Sequence, residues 1–143
     1  MPSPMTKETT EARYKVLLVD DDPAVLRAHA AALEFDFDVV TCSSAESALD
    51  LLREQEFHVV CSDYAMPGMD GLELLQRVAK LPLPVACLLL TGSPAFIDRG
   101  GCADQYVLMK PVDPARLSGL LEQLSRTVAM KRNAARLRLV PSR

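Results

Sequence analysis

The stretch Val59-Val60-Cys61-Ser62-Asp63 ends an apolar run with a carboxylate, and the turn-forming stretch Met66-Pro67-Gly68-Met69-Asp70-Gly71 follows it. A continuous apolar run is typical of a strand that is buried on both faces of a parallel sheet. Because Pro and Gly disfavour a helix directly after Asp63, its carboxylate is expected at the rim of the sheet. In open α/β sheets this rim is where ligands bind, so Asp63 is the first candidate functional residue.

Strand-like and helix-like segments alternate on both sides of this stretch. The central strand is predicted over residues 58–62, and four further apolar runs are predicted strands: residues 15–19, 37–42, 85–90 and 106–109. Helix starts are predicted from cap-like signals at Asp22-Pro23, at Ser43 with Glu46, at Asp70 with Glu73, and from Pro114. The alternation predicts one α/β domain with a doubly wound, five-stranded parallel sheet and helices on both faces. The segment 95–104 is brief and contains Gly100-Gly101, so the fourth helix is expected to be short.

Composition and length indicate a single globular domain. The chain has 143 residues, 49% of them hydrophobic and 24% charged, and a net charge of −3, which favours neither nucleic-acid nor membrane binding by the whole molecule. We expect a flexible leader over residues 1–13, the domain over 14–128, and a basic extension over 129–143 that continues the last helix or begins a linker. No signal-peptide pattern or membrane-length apolar run is present in this sequence, so a cytoplasmic protein is expected.

Polar side chains also end other predicted strands, namely Asp20, Asp21, Thr91 and Lys110. In a parallel sheet these ends share one edge, so the side chains are expected to converge on Asp63. Carboxylates about 4 Å apart repel by roughly 4 kcal/mol at an effective dielectric near 20, which favours a bound cation. Oxygen ligands with open positions suit Mg²⁺, and a lysine with a hydroxyl completes a clamp for a phosphoryl group. An aspartate beside that clamp can act as its nucleophile.

Taken together, these stretches resemble the response-regulator receiver domain of two-component signalling. The resemblance depends on four stretches in the family's order, which lie within residues 14–128: Val16-Leu17-Leu18-Val19-Asp20-Asp21-Asp22, Ser62 through Gly71, Leu90-Thr91-Gly92, and Lys110-Pro111. It implies a flavodoxin-like fold and a switch that accepts a phosphoryl group. It also implies no enzymatic activity beyond self-phosphorylation and self-dephosphorylation.

The resemblance assigns roles residue by residue. Asp63 matches the phosphoacceptor, which attacks a phosphohistidine of a sensor histidine kinase or phosphotransfer protein. Asp20 and Asp21 match the acidic pair that holds Mg²⁺ together with Asp63, and the backbone carbonyl of Ala65 matches a further ligand. Ala65 brings no polar side chain to the phosphoryl group, so slow self-dephosphorylation is expected.

The remaining roles concern the clamp and the output. Thr91 matches the hydroxyl that reaches the phosphoryl group, and Lys110 matches the lysine that pairs with a phosphoryl oxygen, followed by a cis proline. The phosphorylated state would be read by an output protein or domain through residues 95–104 and the last helix. Any nucleic-acid contact would belong to that output domain, and no membrane contact is expected. The resemblance leaves open whether the chain forms a homodimer.

Two departures from the family pattern leave alternatives open. Where the family carries an aromatic switch residue, three before the lysine, this chain has Val107; Tyr106 lies one residue earlier, so either Tyr106 does not switch or a bulge realigns it. The stretch from Thr91 to Lys110 is also shorter than usual. One alternative is therefore a receiver-like adaptor that signals without phosphorylation. A further alternative has a different basis: Asp20-Asp21-Asp22 also resembles the Asp-x-Asp opening of haloacid-dehalogenase-type phosphatases, in which Asp20 rather than Asp63 would react.

Overall fold

The computed structural model describes residues 13–92 and 105–139. Its elements are, in chain order, β1 (Lys15–Val19), α1 (Pro23–Leu33), β2 (Asp38–Cys42), α2 (Ala45–Glu54), β3 (Val59–Asp63), α3 (Gly71–Val78), β4 (Ala86–Thr91), β5 (Gln105–Met109) and α4 (Pro114–Leu139). The predicted strands are therefore confirmed to within one residue at each end. The predicted short helix in 95–104 and nearly all of the predicted leader lie outside the described residues.

The strands form one parallel sheet in the order β2-β1-β3-β4-β5. β3 lies between β1, where Val19 pairs with Ser62, and β4, where Leu90 pairs with Asp63. From β1 the chain continues to its neighbour β2, toward one edge of the sheet. From β3 it continues to its neighbour β4, toward the opposite edge. Ligands of doubly wound sheets bind in the crevice at this reversal, outside the carboxyl ends of the strands. Both Asp20 and Asp63 lie there.

Two apolar layers cover the two faces of the sheet. Because successive strand residues point to opposite faces, Leu18 packs with α1 and α4, whereas Leu17 packs with α2 and α3. The helix residues buried in the first layer are Leu26, Leu33, Leu117, Leu121 and Leu124, and those in the second are Ala45, Ala48, Leu74, Leu75 and Val78. The prediction of helices on both faces of a flavodoxin-like fold is confirmed.

Helix starts follow the predicted caps in two of three cases. Asp22 accepts from the Ala24 N–H at 2.9 Å, and Asp70 accepts from the Glu73 N–H at 2.9 Å. The predicted cap Ser43 is wrong by one residue. Ser44 is the N-cap of α2 and accepts from the Ser47 N–H at 3.1 Å. Burial of Ala45 and Ala48 sets the phase of the helix, and that phase places Ser44 rather than Ser43 before its first turn.

β5 pairs with β4 in a regular register, with Tyr106 opposite Leu88 and Leu108 opposite Leu90. No bulge therefore interrupts the pairing of residues 105–109. Tyr106 is 51% exposed, and Val107 packs into the layer with α2 and α3. The sequence left open whether a bulge realigns Tyr106 with the position of Val107. In this register it does not, and Tyr106 stays one residue before that position.

α4 continues through residue 128 to Leu139, so the predicted boundary at 128 falls inside a helix. The Arg132 guanidinium donates to the backbone carbonyls of Phe57 and Pro84, which precede β3 and β4. Residues beyond 128 therefore contact the sheet layer. Within residues 13–92 and 105–139, no helix has both the length and the apolar composition that crossing a membrane requires.

Candidate functional site

Three carboxylates meet at the carboxyl edge of the sheet. Asp20 and Asp21 follow β1, Asp63 ends the neighbouring β3, and one oxygen from each lies within 4.8 Å of the others. Asp20 is 5% exposed and Asp63 7%, whereas Asp21 faces solvent. The convergence that parallel strand ends predict is therefore present. The cluster is strongly acidic, with two buried carboxylates and one exposed carboxylate.

Asp20 is held rigidly in this cluster. Its backbone N–H donates to the Cys42 carbonyl, and its Oδ1 accepts from the Asp22 N–H at 2.9 Å. Burial raises the pKa of Asp20, and the charges of Asp63 and Asp21 raise it further, while the Asp22 hydrogen bond and Lys110 oppose the rise. In the absence of a bound cation, ionisation of Asp20 is thus less favourable than that of an exposed aspartate.

Lys110 supplies the opposing charge. It follows β5, its backbone N–H donates to the Thr91 carbonyl at 2.9 Å, and its Nζ lies 2.5 Å from Asp63 Oδ1. The peptide bond between Lys110 and Pro111 is cis, as the resemblance implies. Thr91 ends β4, between β3 and β5, and is 2% exposed. The lysine and the threonine therefore come to the same edge as the carboxylates.

The loop after Asp63 bends sharply around the site. Gly68 has φ 76°, a left-handed conformation that side chains other than glycine rarely adopt. The Gly71 N–H donates to the Tyr64 carbonyl at 2.9 Å, which closes the loop. Ala65 lies in this loop, two residues after Asp63, and is exposed.

Two residues without a predicted role of their own, Ser62 and Gly71, contact the backbone of Asp63. The Ser62 hydroxyl is buried and donates to the Asp63 carbonyl at 2.9 Å. Gly71 packs so closely against that carbonyl that a Cβ there would collide with it. The local sequence marks Gly71 only as the last residue of the turn-forming stretch that follows Asp63.

The donor set fits a hard divalent cation. The cluster formed by the described residues contains carboxylate oxygens and neither His nor Cys. The nearby thiol of Cys61 is wholly buried, and burial together with Asp20 and Asp63 raises its pKa to about 12, so it stays protonated. Three carboxylates with one solvent-facing side suit Mg²⁺, which keeps several waters and accepts phosphate oxygens.

A doubly wound sheet with an acidic cluster, a lysine and a threonine at its carboxyl edge defines the class of phosphoacceptor domains. The family model of the response regulator receiver domain matches residues 16–122. The chain belongs to this family and is a phospho-accepting regulatory domain of two-component signalling. The haloacid-dehalogenase-type alternative is left without support.

Two similar curated relatives come from plants. The chain is 36% identical over 126 residues to the two-component response regulator ARR10 of Arabidopsis thaliana, a match that covers 83% of this chain and 22% of the relative. It is 36% identical over 119 residues to ORR26 of Oryza sativa subsp. japonica, a match that covers 78% of this chain and 20% of the relative. The chain thus spans about a fifth of the length of these relatives.

Solved structures agree with the fold. A CheY-like response regulator receiver domain protein from Methanospirillum hungatei JF-1 superposes with a TM-score of 0.74 at 26% identity, covering 84% of this chain and 99% of that chain. The signal receiver domain of an HD domain-containing protein from Pseudomonas fluorescens Pf-5 has a TM-score of 0.78 at 28% identity, covering 87% and 95%.

Proposed function

We propose that Asp63 is the phosphoacceptor of this domain. The observation that carries the proposal is its placement: among the described residues, Asp63 is the one carboxylate of the acidic cluster that is also paired with Lys110. In the transfer step, an Asp63 carboxylate oxygen attacks the phosphorus of a phosphohistidine. The P–N bond breaks, an acyl phosphate forms on Asp63, and the imidazole leaves.

Mg²⁺ is the proposed cofactor, and when bound it would neutralise the carboxylates and the charge on the phosphoryl oxygens. Asp20, Asp21 and Asp63 would hold it, with the Ala65 carbonyl as a further ligand. Asp20 is prepared for this role because the hydrogen bond that it accepts from the Asp22 N–H fixes its orientation.

Lys110 and Thr91 complete the proposed site. Lys110 exchanges its Asp63 partner for a phosphoryl oxygen, so the charge it places near Asp63 stays balanced during transfer. The Thr91 hydroxyl approaches another phosphoryl oxygen, and this displacement shifts an existing equilibrium between two conformations. Lys110 and Thr91 are already linked through the Lys110 N–H and the Thr91 carbonyl.

The proposed partners follow from family membership. A sensor histidine kinase or a phosphotransfer protein would supply the phosphoryl group, and an output protein or domain would read the result. We divide the chain into a leader over 1–13, the receiver domain over 14–128 and a basic extension over 129–143, which leads toward the output. Nucleic-acid binding would belong to the output domain, and a homodimer is compatible with this arrangement.

The decisive test is labelling of the full chain by acetyl phosphate, read by intact mass. Wild type is expected to gain one phosphoryl group with Mg²⁺ and none with chelator, and Asp63→Asn is expected to gain none. Asp70→Asn is the matched control, because Asp70 lies in the same loop but caps α3, and Asn caps a helix equally well. Normal labelling of Asp63→Asn would overturn the assignment. No labelling of wild type would instead favour the adaptor that signals without phosphorylation.

A further inference from the structure

The backbone carbonyl of Asp63 lies where the pairing of β3 with β4 ends and the contacts with α3 begin. The pairing of β3 with β4 ends with the Tyr64 N–H donating to the Leu90 carbonyl at 2.8 Å. The Asp63 carbonyl turns instead toward the start of α3. There it accepts from the Ser62 hydroxyl and lies against Gly71. The position of this carbonyl sets the orientation of the peptide from which both the Asp63 side chain and the following loop begin.

Gly71 is needed for space rather than for backbone freedom. A Cβ at this position would collide with the Asp63 carbonyl oxygen, and would lie 3.0 Å from the carbonyl carbon and 2.9 Å from Leu89 Cδ1. Its φ lies outside the left-handed region, in contrast to Gly68. Most residues would therefore accept the backbone conformation at 71, and what excludes them is the approach of the Asp63 backbone.

We infer that Gly71 is a positioning residue for the reaction at Asp63, a role that rests on the proposed function of Asp63. Its missing side chain lets the first turn of α3 pack directly behind the Asp63 carbonyl. Its N–H also binds the Tyr64 carbonyl and so closes the loop that carries Ala65. Gly71 thus fixes the position of the phosphoacceptor and also the position of the loop whose Ala65 carbonyl is a proposed metal ligand.

An added methyl group would act on the site through the backbone. The Leu89 side chain can rotate away from a Cβ at 71, but the Asp63 carbonyl can move only with its peptide. That movement would displace the Asp63 carboxylate relative to Lys110 and Asp20. Displacement of reacting groups by about 1 Å is enough to slow a reaction on the order of a hundredfold.

The experiment compares Gly71→Ala with Gly119→Ala in the full chain. Gly119 lies in α4 and is exposed, and a Cβ added to it would meet nothing within 4 Å, so it controls for the chemical change alone. Initial rates of labelling by acetyl phosphate are measured by intact mass, and Mg²⁺ affinity by titration calorimetry. Both are measured at a temperature at which circular dichroism shows every variant fully folded, so that a loss of stability alone leaves both readouts unchanged.

A second pair of variants separates the two collisions. Leu89→Val removes Cδ1 and leaves the Asp63 carbonyl in place, so it is made alone and together with Gly71→Ala. We expect Gly71→Ala to label at least about tenfold more slowly and to bind Mg²⁺ more weakly, and Leu89→Val to restore neither. Gly119→Ala is expected to match wild type in both measurements.

Each outcome distinguishes the inference from the proposal beneath it. If wild type fails to label, the proposed function of Asp63 fails. If wild type labels and folded Gly71→Ala labels and binds Mg²⁺ equally well, the positioning role is wrong. Full recovery in the double variant would also overturn it, because the effect would then come from core packing around Leu89.

Discussion

At Asp20, burial and the like charges of neighbouring carboxylates raise the pKa, and the charge of one lysine opposes that rise. Lys110 pairs with Asp63 and also lowers the pKa of Asp20. A cation that is bound at the same carboxylates would compete with that lysine, since both are attracted by the same charge. The two cations would therefore repel each other when both are present. This makes Lys110 unfavourable for Mg²⁺ binding and favourable for holding the phosphoryl group.

Lys110→Gln is therefore expected to change two measurements in opposite directions. Mg²⁺ binding should tighten by about 1 kcal/mol, roughly fivefold, because a nearby positive charge is removed. Labelling by acetyl phosphate should slow, because the phosphoryl oxygens lose their partner. Titration calorimetry and intact mass provide the readouts. Lys80→Gln, at an exposed lysine just beyond α3, is the control and should change neither. Weaker Mg²⁺ binding by Lys110→Gln would contradict this account.

His58 is the residue whose titration should matter most for stability near neutral pH. Its Nδ1 accepts from the Lys15 N–H at 3.0 Å, so protonation would replace a hydrogen bond with two opposed donors. Burial lowers its pKa from the usual 6.5, Arg132 lowers it further, and Glu56 opposes them. The other groups around it are the Tyr14 ring and the charged residues of one cavity: Arg13, Lys15, Asp38 and Arg136.

Since the folded pKa lies below the unfolded value, His58 contributes stability that is complete above about pH 6.5 and is lost as the pH falls below it. Urea unfolding at about pH 7.5 and about pH 5.5 should show a loss for wild type and a smaller loss for His58→Asn, whose amide oxygen can still accept from Lys15. His29 shares the window, because burial also lowers its pKa. His29→Gln measures its share, and equal losses in wild type and His58→Asn would rule out His58.

At the scale of elements, Arg132 joins the end of α4 to the starts of two strands. Its guanidinium donates to the Pro84 carbonyl from both Nε and Nη2, and to the Phe57 carbonyl from Nη2. Phe57 precedes β3, which ends at Asp63, and Pro84 lies just before β4, which ends at Thr91. Arg132 thus holds the helix beyond residue 128 against the strands that present the site at their other ends.

Arg132→Ala is expected to lower the free energy of unfolding by about 1–2 kcal/mol, because two backbone carbonyls lose charged donors in a partly buried place. Arg132→Lys should recover little of this, since an ammonium cannot reproduce the planar fork of donors. Arg136→Ala, one turn further along and exposed, is the control and should stay within about 0.5 kcal/mol of wild type. Urea unfolding monitored by circular dichroism measures all three. Equal stabilities would show that α4 is not anchored there.

What the sequence predicts well depends on short-range signals. Alternating apolar runs and caps such as Asp22 and Asp70 predict the elements, and parallel strands then bring Asp20 and Asp63 to one edge. The contacts of Arg132 are not predictable in this way, because Phe57 is separated from it by 75 residues. The offset from Ser43 to the Ser44 cap and the packing of Gly71 likewise depend on tertiary geometry.

At the scale of the whole molecule, charge differs between the two edges of the sheet among the described residues. Three carboxylates gather at the carboxyl edge beside Lys110, whereas a cavity at the amino edge is lined by four basic residues, Arg13, Lys15, Arg132 and Arg136, and two acidic ones, Asp38 and Glu56. Folding therefore concentrates negative charge at one pole of a chain whose net charge is only −3. Without a cation, this repulsion lowers the stability of the folded state. A bound cation raises the stability, because the unfolded chain does not hold these carboxylates together.

Asp20→Asn should show both halves of this effect in one variant. Without Mg²⁺ it is expected to be more stable than wild type at neutral pH, because the raised pKa of Asp20 means that its ionised form is disfavoured in the folded state, and Asn can still accept from the Asp22 N–H. With Mg²⁺ at about 100 times its Kd, wild type should gain about 2.7 kcal/mol and Asp20→Asn much less, so their order should reverse. Thermal and urea unfolding with Mg²⁺ or chelator measure the order.

Asp22→Asn, at the adjacent exposed cap, should behave as wild type in both conditions, since Asn and Asp are equivalent caps. An Asp20→Asn variant that is destabilised without Mg²⁺, or that responds to it as wild type does, would show that repulsion among these carboxylates does not govern the stability of the fold.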